Sequence, residues 1–148
     1  MSAISPAIPC EGLDGSFEVE TGASDDYETR QYMGVIAGSD DNQVKPLGSG
    51  NTSQTVIVGI AQADADDGES VRVRLSGISK VRAEGSVTLG DLCECIYDSS
   101  DEDKNGNMKT LTSCAKAGMV ACQALEDAAD GEFFKAMILC RKQYPAWT

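Results

Sequence analysis

Between residues 56 and 92 the chain reads VIVGIAQADADDGESVRVRLSGISKVRAEGSVTLGDL, an apolar run followed by alternation of apolar and polar positions. Val71, Val73 and Leu75 fall on one side of an extended segment and Arg72 and Arg74 on the other, the pattern of a strand that buries one face. An Asp67-Gly68 turn precedes it, a second strand is predicted over 78–81, and a turn centred on Gly85 leads to Leu89-Gly90-Asp91. The same reasoning predicts a core strand over 32–37, a polar turn over 38–42, and a return strand over 44–47 whose Pro46 points to a sheet edge. A loop over 48–54 follows. Further strands are predicted over 93–97, 108–111, 115–125 and 133–140. The alanines of 115–125 also suit a short helix, but Gly118 interrupts it and its likeness to 56–61 decides for a strand. The expected fold class is all-β, mainly antiparallel, in a small barrel.

Part of the central stretch recurs. Ala61-Gln62-Ala63-Asp64-Ala65-Asp66-Asp67-Gly68-Glu69 aligns without gaps on Ala124-Leu125-Glu126-Asp127-Ala128-Ala129-Asp130-Gly131-Glu132, and an apolar strand follows each copy. Two copies are too few for a solenoid, so the repeat predicts two similar corners of one barrel or sandwich. Chance likeness between turns rich in alanine and aspartate is the alternative.

In order along the chain come Arg30-Gln31-Tyr32 leading into Val35-Ile36, then VGIAQ, GES before the alternating strand, Ser76-Gly77-Ile78-Ser79-Lys80-Val81, Leu89-Gly90-Asp91-Leu92, and the second acidic turn. This succession resembles the small capsid decoration, or cement, proteins of tailed bacteriophages. The resemblance covers residues 29 to 139 and rests on the order of its pieces. It implies a compact β-tulip domain over 29–140 that binds the outer surface of the mature phage head. It further implies contact with the major capsid protein, stabilisation of the capsid by bridging its subunits, assembly as a homotrimer at three-fold positions, and no enzymatic activity.

At 148 residues the chain is long enough for one domain plus an arm, and two independent cores are not expected. With 5% aromatics the core must come from Val, Ile, Leu, Ala and Met, and association would add to so modest a burial. A net charge of −12 opposes contact with phosphate backbones, so no nucleic-acid partner is expected. No apolar run is long enough for a membrane helix. The first residues, MSAISPAIPCEG, lack the basic start and apolar segment of a signal peptide, so synthesis in the host cytoplasm is expected.

Residues 1–28 are rich in Pro, Gly, Ser and acids, and are expected to form an extended N-terminal arm that orders on a partner, with Phe17 and Tyr27 as anchors. A floppy tail, or a short edge strand over 17–20, is the alternative. Arg30 and Tyr32 at the start of the resemblance, and Tyr144 and Trp147 in the aromatic tail over 141–148, complete the candidates for capsid or subunit contact. Trp and Tyr are favoured at interface centres, although packing on the parent domain is their commoner fate.

Six cysteines, Cys10, Cys93, Cys95, Cys114, Cys122 and Cys140, stand without any histidine. Buried free thiols fit this set better than a zinc site, for which Cys93-Glu94-Cys95 supplies no paired C-x-x-C. Asp101, Asp103, Asn105 and Gly106 match the opening of a calcium loop, but Thr112 stands where the bidentate Glu belongs. A solvated hairpin loop turning at Asn105-Gly106 is the preferred reading, with a calcium-binding β module as the alternative function. Without histidine there is no Ser-His-Asp or Cys-His arrangement, and no phosphate-cradling glycine motif is present, so neither catalysis nor a cofactor is expected.

Overall fold

The computed structural model describes residues 10–21, 29–48, 57–111 and 119–142. Most of its strands are three or four residues long, too short to be stable as isolated pairs, and they close on one another instead. β1 (Gly12–Val19) pairs in parallel with β3 (Gln43–Lys45), which pairs antiparallel with β2 (Gly34–Ala37). β2 continues to β4 (Gly59–Ala61), β4 to β5 (Ser70–Arg82), and β5 returns to β1, closing a five-stranded barrel. From β5 the sheet runs on through β9 (Phe133–Lys142), β8 (Met119–Ala124) and β6 (Leu92–Cys95) to β7 (Met108–Thr110). A parallel bridge from Met108 to Ala83 brings β7 back to the end of β5, so a second ring forms beside the first. Among the described residues the only helical piece is a 3-10 turn, Glu102–Lys104. The protein is all-β, as expected, with a sheet that is mixed only where β1 meets β3 and where β7 meets Ala83.

The two rings share β5. Its first part pairs with β1 and β4, and its residues from Gly77 onward pair with β9. The change of partner falls at Gly77, where φ is +98° and an added Cβ would lie 2.4 Å from the Glu11 carbonyl oxygen and 2.6 Å from the Gly12 Cα. Only glycine combines that dihedral with that approach. Sequence reading divides this segment into strands ending at Leu75 and starting at Ile78; it is one strand, because the kink at Gly77 leaves the alternation of faces intact.

The correspondence of the rings extends well beyond the acidic turns that betray it in the sequence. Phe17 opposite Val71 and Glu18 opposite Ser70 in the first ring answer to Val81 opposite Phe134 and Arg82 opposite Phe133 in the second. Ala37 opposite Val44 answers to Cys95 opposite Met108, and Val35 opposite Gly59 to Cys93 opposite Cys122. At the turns, the Gly68 amide donates to the Val19 carbonyl at 2.8 Å and the Gly131 amide to the Ala83 carbonyl at 3.0 Å. Each glycine has positive φ, +77° and +78°. The Gln31 amide donates to Asp64 Oδ1 at 2.8 Å, as Leu89 does to Asp127 Oδ1 at 2.7 Å. The repeat predicted as two corners of a barrel is thus two ring-shaped halves, with β5 closing the first and opening the second.

Two apolar clusters fill the rings. Val19, Met33, Val35, Val44, Ala61, Ala65, Val71 and Val73 form one; Val81, Cys93, Cys95, Met108, Cys122, Phe134, Ala136 and Ile138 are central to the other. They are not independent cores, because adjacent residues of β2 and β4 are divided between them, Val35 and Ala61 facing the first and Ile36 and Ile60 the second.

Three expectations need correction. Residues 12–19 are neither an arm nor an edge strand but the interior strand β1, held on one side by β5 and on the other by β3. The other residues of the expected arm lie outside the described ones, apart from 10, 11, 20 and 21. The return strand is no edge either, since β3 has a neighbour on both sides; it ends at Lys45, so Pro46 follows it and costs no ladder bond. The hairpin of β6 and β7 turns at Asn105-Gly106 as expected, but the turn is buried rather than solvated, with Asn105 and Asn107 both inside: Asn105 has φ −60° and ψ 132°, Gly106 φ +82°, and the Asn107 amide donates to the Lys104 carbonyl at 3.0 Å. Those dihedrals are a type II turn, with glycine where φ must be positive.

Candidate functional site

Two of the residues singled out as contact candidates, Arg30 and Tyr32, meet at the seam between the rings. Tyr32 follows the Thr29–Ala65 bridge and turns the chain into β2 with φ +69°. Its second-ring counterpart is Gly90 with φ +90°, for the amides of both donate across to matching carbonyls, Ala61 at 2.7 Å and Ala124 at 2.8 Å. A tyrosine tolerates this strained dihedral only where its ring is held in place. That ring packs on the second apolar cluster and meets Phe133 edge to face, centroids 5.6 Å apart at 73°. Arg82 lies 5.9 Å over the Phe133 ring.

Arg30 reaches from the first half to the loop of the second. Its guanidinium donates to the carbonyls of Asp103 at 2.7 Å, Glu102 at 2.8 Å and Asn105 at 3.1 Å, and pairs with Asp103 Oδ1 at 3.3 Å. The Glu102 carbonyl also accepts from the Asn105 amide at 3.1 Å, and the guanidinium places a cation at the end of the 3-10 turn, the favourable sign at a helical C-terminus. Arg30, Tyr32, Asp64, Arg82, Asn107 and Phe133 line a half-open cavity of about 290 Å³. Its chemistry is that of a structural joint, because the Arg30 donors and the Asp64 oxygen are already committed to backbone groups.

The residues that resemble a calcium loop are engaged in ordering their own backbone. Asp101 accepts from the Asp103 amide at 3.1 Å, Asp98 from the amide and hydroxyl of Ser100 at 2.8 and 2.6 Å, and Asn105 Oδ1 from the Asp98 amide at 2.7 Å. The Ser100 hydrogen bonds hold the Asp98 carboxyl below its ordinary value. Among the described residues no three Cys, Asp or Glu side chains form a group able to hold a metal. Thr112 lies outside the described residues.

Phe17 is half-buried against the first apolar cluster, an anchor within its own domain. Tyr27, Tyr144 and Trp147 lie outside the described residues, as does Cys114. Cys93, Cys95 and Cys122 are buried free thiols. Burial pushes the Cys95 thiol up to about 12 and that of Cys140 to about 11, while a hydrogen bond with Cys93, together with burial, raises Cys122.

One polar cluster was not visible as such in the sequence. Arg74, read as an outward-facing strand residue, is 7% exposed. It donates to Asp14 Oδ1 at 2.7 Å, Asp14 Oδ2 at 3.2 Å, the Cys10 carbonyl at 2.8 Å and the Ile78 carbonyl at 2.8 Å. Its hydrogen bonds hold the Asp14 carboxyl below the ordinary 3.8. Arg74 points away from the apolar cluster as its parity requires; β1, whose pairing the sequence concealed, covers it. Large apolar side chains are exposed at Leu13, Leu89, Phe133 and Met137.

No family model and no curated protein matches the chain. Among solved structures it is similar to the N base of head fiber gp8.5 in bacteriophage phi29, with a TM-score of 0.60 over 89% of this chain and 98% of that one. Identity is 15%, so what the two share is the fold, over nearly the full length of both.

Proposed function

We propose that this protein is a structural, non-enzymatic component of a phage virion that sits on the outer surface of the mature capsid and stabilises it by bridging major capsid protein subunits. The observation that carries the reading is the fold likeness to the base of a phage head fiber, which extends over 98% of that structure and is not confined to one motif. The ordered resemblance to decoration proteins points the same way, and the net charge of −12 disfavours a place against the packaged genome.

The mechanism is linkage. A protein that binds only the expanded shell stabilises that shell by RT ln(1 + [L]/Kd) per site, about 4 kcal/mol at a thousandfold excess over Kd. A homotrimer at a three-fold position engages three shell subunits together, and after the first contact the others form at high effective concentration.

Co-sedimentation with mature heads lacking the protein, beside immature unexpanded shells, tests this. Saturable binding to mature heads alone is the expected result, with heads that lose their DNA at lower temperature when the protein is absent. Equal binding to both shell states, or to neither, refutes it.

A further inference from the structure

The outer face of β5 and β9 in the second ring differs in charge from the rest of this acidic molecule. Ile78, Lys80 and Arg82 of β5 stand opposite Met137, Lys135 and Phe133 of β9. Ser79, Val81, Phe134, Ala136 and Ile138 are buried between them in sequence, so these six side chains share the outward face. Lys80 and Lys135 are therefore direct cross-strand neighbours, a like-charge pairing that weakens a sheet. Among the described residues no carboxylate forms an ion pair with either ammonium. On either side of the two lysines lie apolar side chains that water reaches, Phe133 at 53% and Met137 at 39% exposure.

A chain with 24 acidic and 12 basic side chains has carboxylates to spare, yet sets two lysines against each other. Many of its acids lie in the turns around Asp67, Asp101 and Asp130, and Glu126, beside Lys135, commits a carboxylate oxygen to the Lys135 backbone amide at 2.8 Å and forms no ion pair with its ammonium. We propose that the β5–β9 face is the surface by which the protein docks on an acidic patch of a partner protein. Carboxylates of that patch would sit between Lys80 and Lys135 and beside Arg82, and its apolar groups would cover Phe133 and Met137. The inference rests on the reading above in taking the partner to be the capsid shell, whose facing surface is then acidic.

K80E tests it directly, because it turns the lysine pair into a cross-strand ion pair. The free variant is expected to melt about 1–4 °C higher than the native protein, which also establishes that it folds. Its binding to mature heads, and that of K80E/K135E, is expected to fall about tenfold or more. K104E/K109E changes net charge as much as the double reversal but lies off this face, and it is expected to bind as the native protein does. A second probe is independent of the shell: immobilised poly-L-glutamate should retain the native protein at low salt, release it as salt rises, and fail to retain K80E/K135E.

Native protein that binds heads undiminished by K80E/K135E overturns the docking face and leaves the function standing. Native protein that ignores heads overturns the function, and the poly-L-glutamate comparison then decides the face alone: equal retention of native protein and K80E/K135E, or retention of neither, overturns it. Self-association in sedimentation equilibrium that K80E/K135E abolishes, with head binding unchanged, assigns the face to a second copy and overturns the shell as partner.

Discussion

Replacing Arg74 by methionine keeps much of the side-chain volume and removes the cation that joins β1 to the kink of β5. Four hydrogen bonds go with it, two to Asp14 and one each to the carbonyls of Cys10 and Ile78. Breaking a fully buried pair from one side costs about 3–5 kcal/mol. Here the Asp14 side chain is 19% exposed and keeps Arg72 at 3.2 Å, which lowers that part to about 2 kcal/mol. Each orphaned carbonyl adds up to about 1 kcal/mol where water does not reach it. R74M is therefore expected to lose about 3 kcal/mol in urea denaturation and roughly 10 °C in Tm.

The pH dependence supplies a second readout. Because Arg74 lowers the folded pKa of Asp14, the stabilisation is fully present above the unfolded carboxyl value of about 3.9 and drains away as pH falls toward the folded value. Native protein should lose stability steeply below about pH 4, and R74M less steeply. In a double-mutant cycle, D14N/R74M should be less destabilised than the two single changes together. R74M within about 0.5 kcal/mol of the native protein, or with the same acid slope, would refute the assignment of Arg74 as the tie between β1 and β5.

Gly77→Ala is expected to cost more than about 3 kcal/mol, since its Cβ meets backbone at 2.4 Å, whereas Gly85→Ala, at φ +76° in open space, should cost about 1 kcal/mol; equal midpoints in urea would contradict the difference. Phe134→Ala, which empties the centre of the second ring, should lower stability by about 3–5 kcal/mol, and a calorimetric loss under about 1 kcal/mol would show the ring to be loosely packed. Cys93, Cys95 and Cys122 should resist maleimide at pH 8 in the folded protein and react on unfolding in urea, as the burial of all three and the raised thiol pKa of Cys95 and Cys122 require; peptide mapping that finds them labelled in native protein would count against the buried second ring.

The legible part of the fold was the part whose residues alternate cleanly. The two pieces of β5, with Val71, Val73 and Val81 inward, could be read directly though their continuity through Gly77 could not, and the glycine turns and the repeated acidic corner were equally plain, because each is a local signal. β1 was hidden for a physical reason. Its sequence, GLDGSFEV, gives only Phe17 and Val19 to the interior, and Asp14 faces a buried arginine, so a barrel strand carries the composition of a tail. Phe133-Phe134 hid the β5–β9 face in a similar way: two adjacent aromatic residues do not announce which one points inward. Arg30 and Tyr32 were singled out for contact with a capsid or a neighbouring subunit, and the contacts they make at the seam within their own chain reach carbonyls and a ring about 70 to 100 residues away, which no local pattern encodes.

The shared strand gives the duplication its consequence. Had each ring closed with its own strands, the halves could have separated as two small domains, each with too little core to be stable alone. Here the final strand of the first ring is the opening strand of the second, and Ile36 and Ile60 carry first-ring residues into the second cluster. Neither ring can open without exposing the other, so unfolding should be one cooperative event despite the two clusters. Arg30, anchored in the first half and gripping three carbonyls of the second, and Arg74, fixing β5 where it changes partner, act on that same seam. A molecule built this way holds its outer faces in fixed relation to one another, which is the mechanical property that the proposed bridging of shell subunits would require.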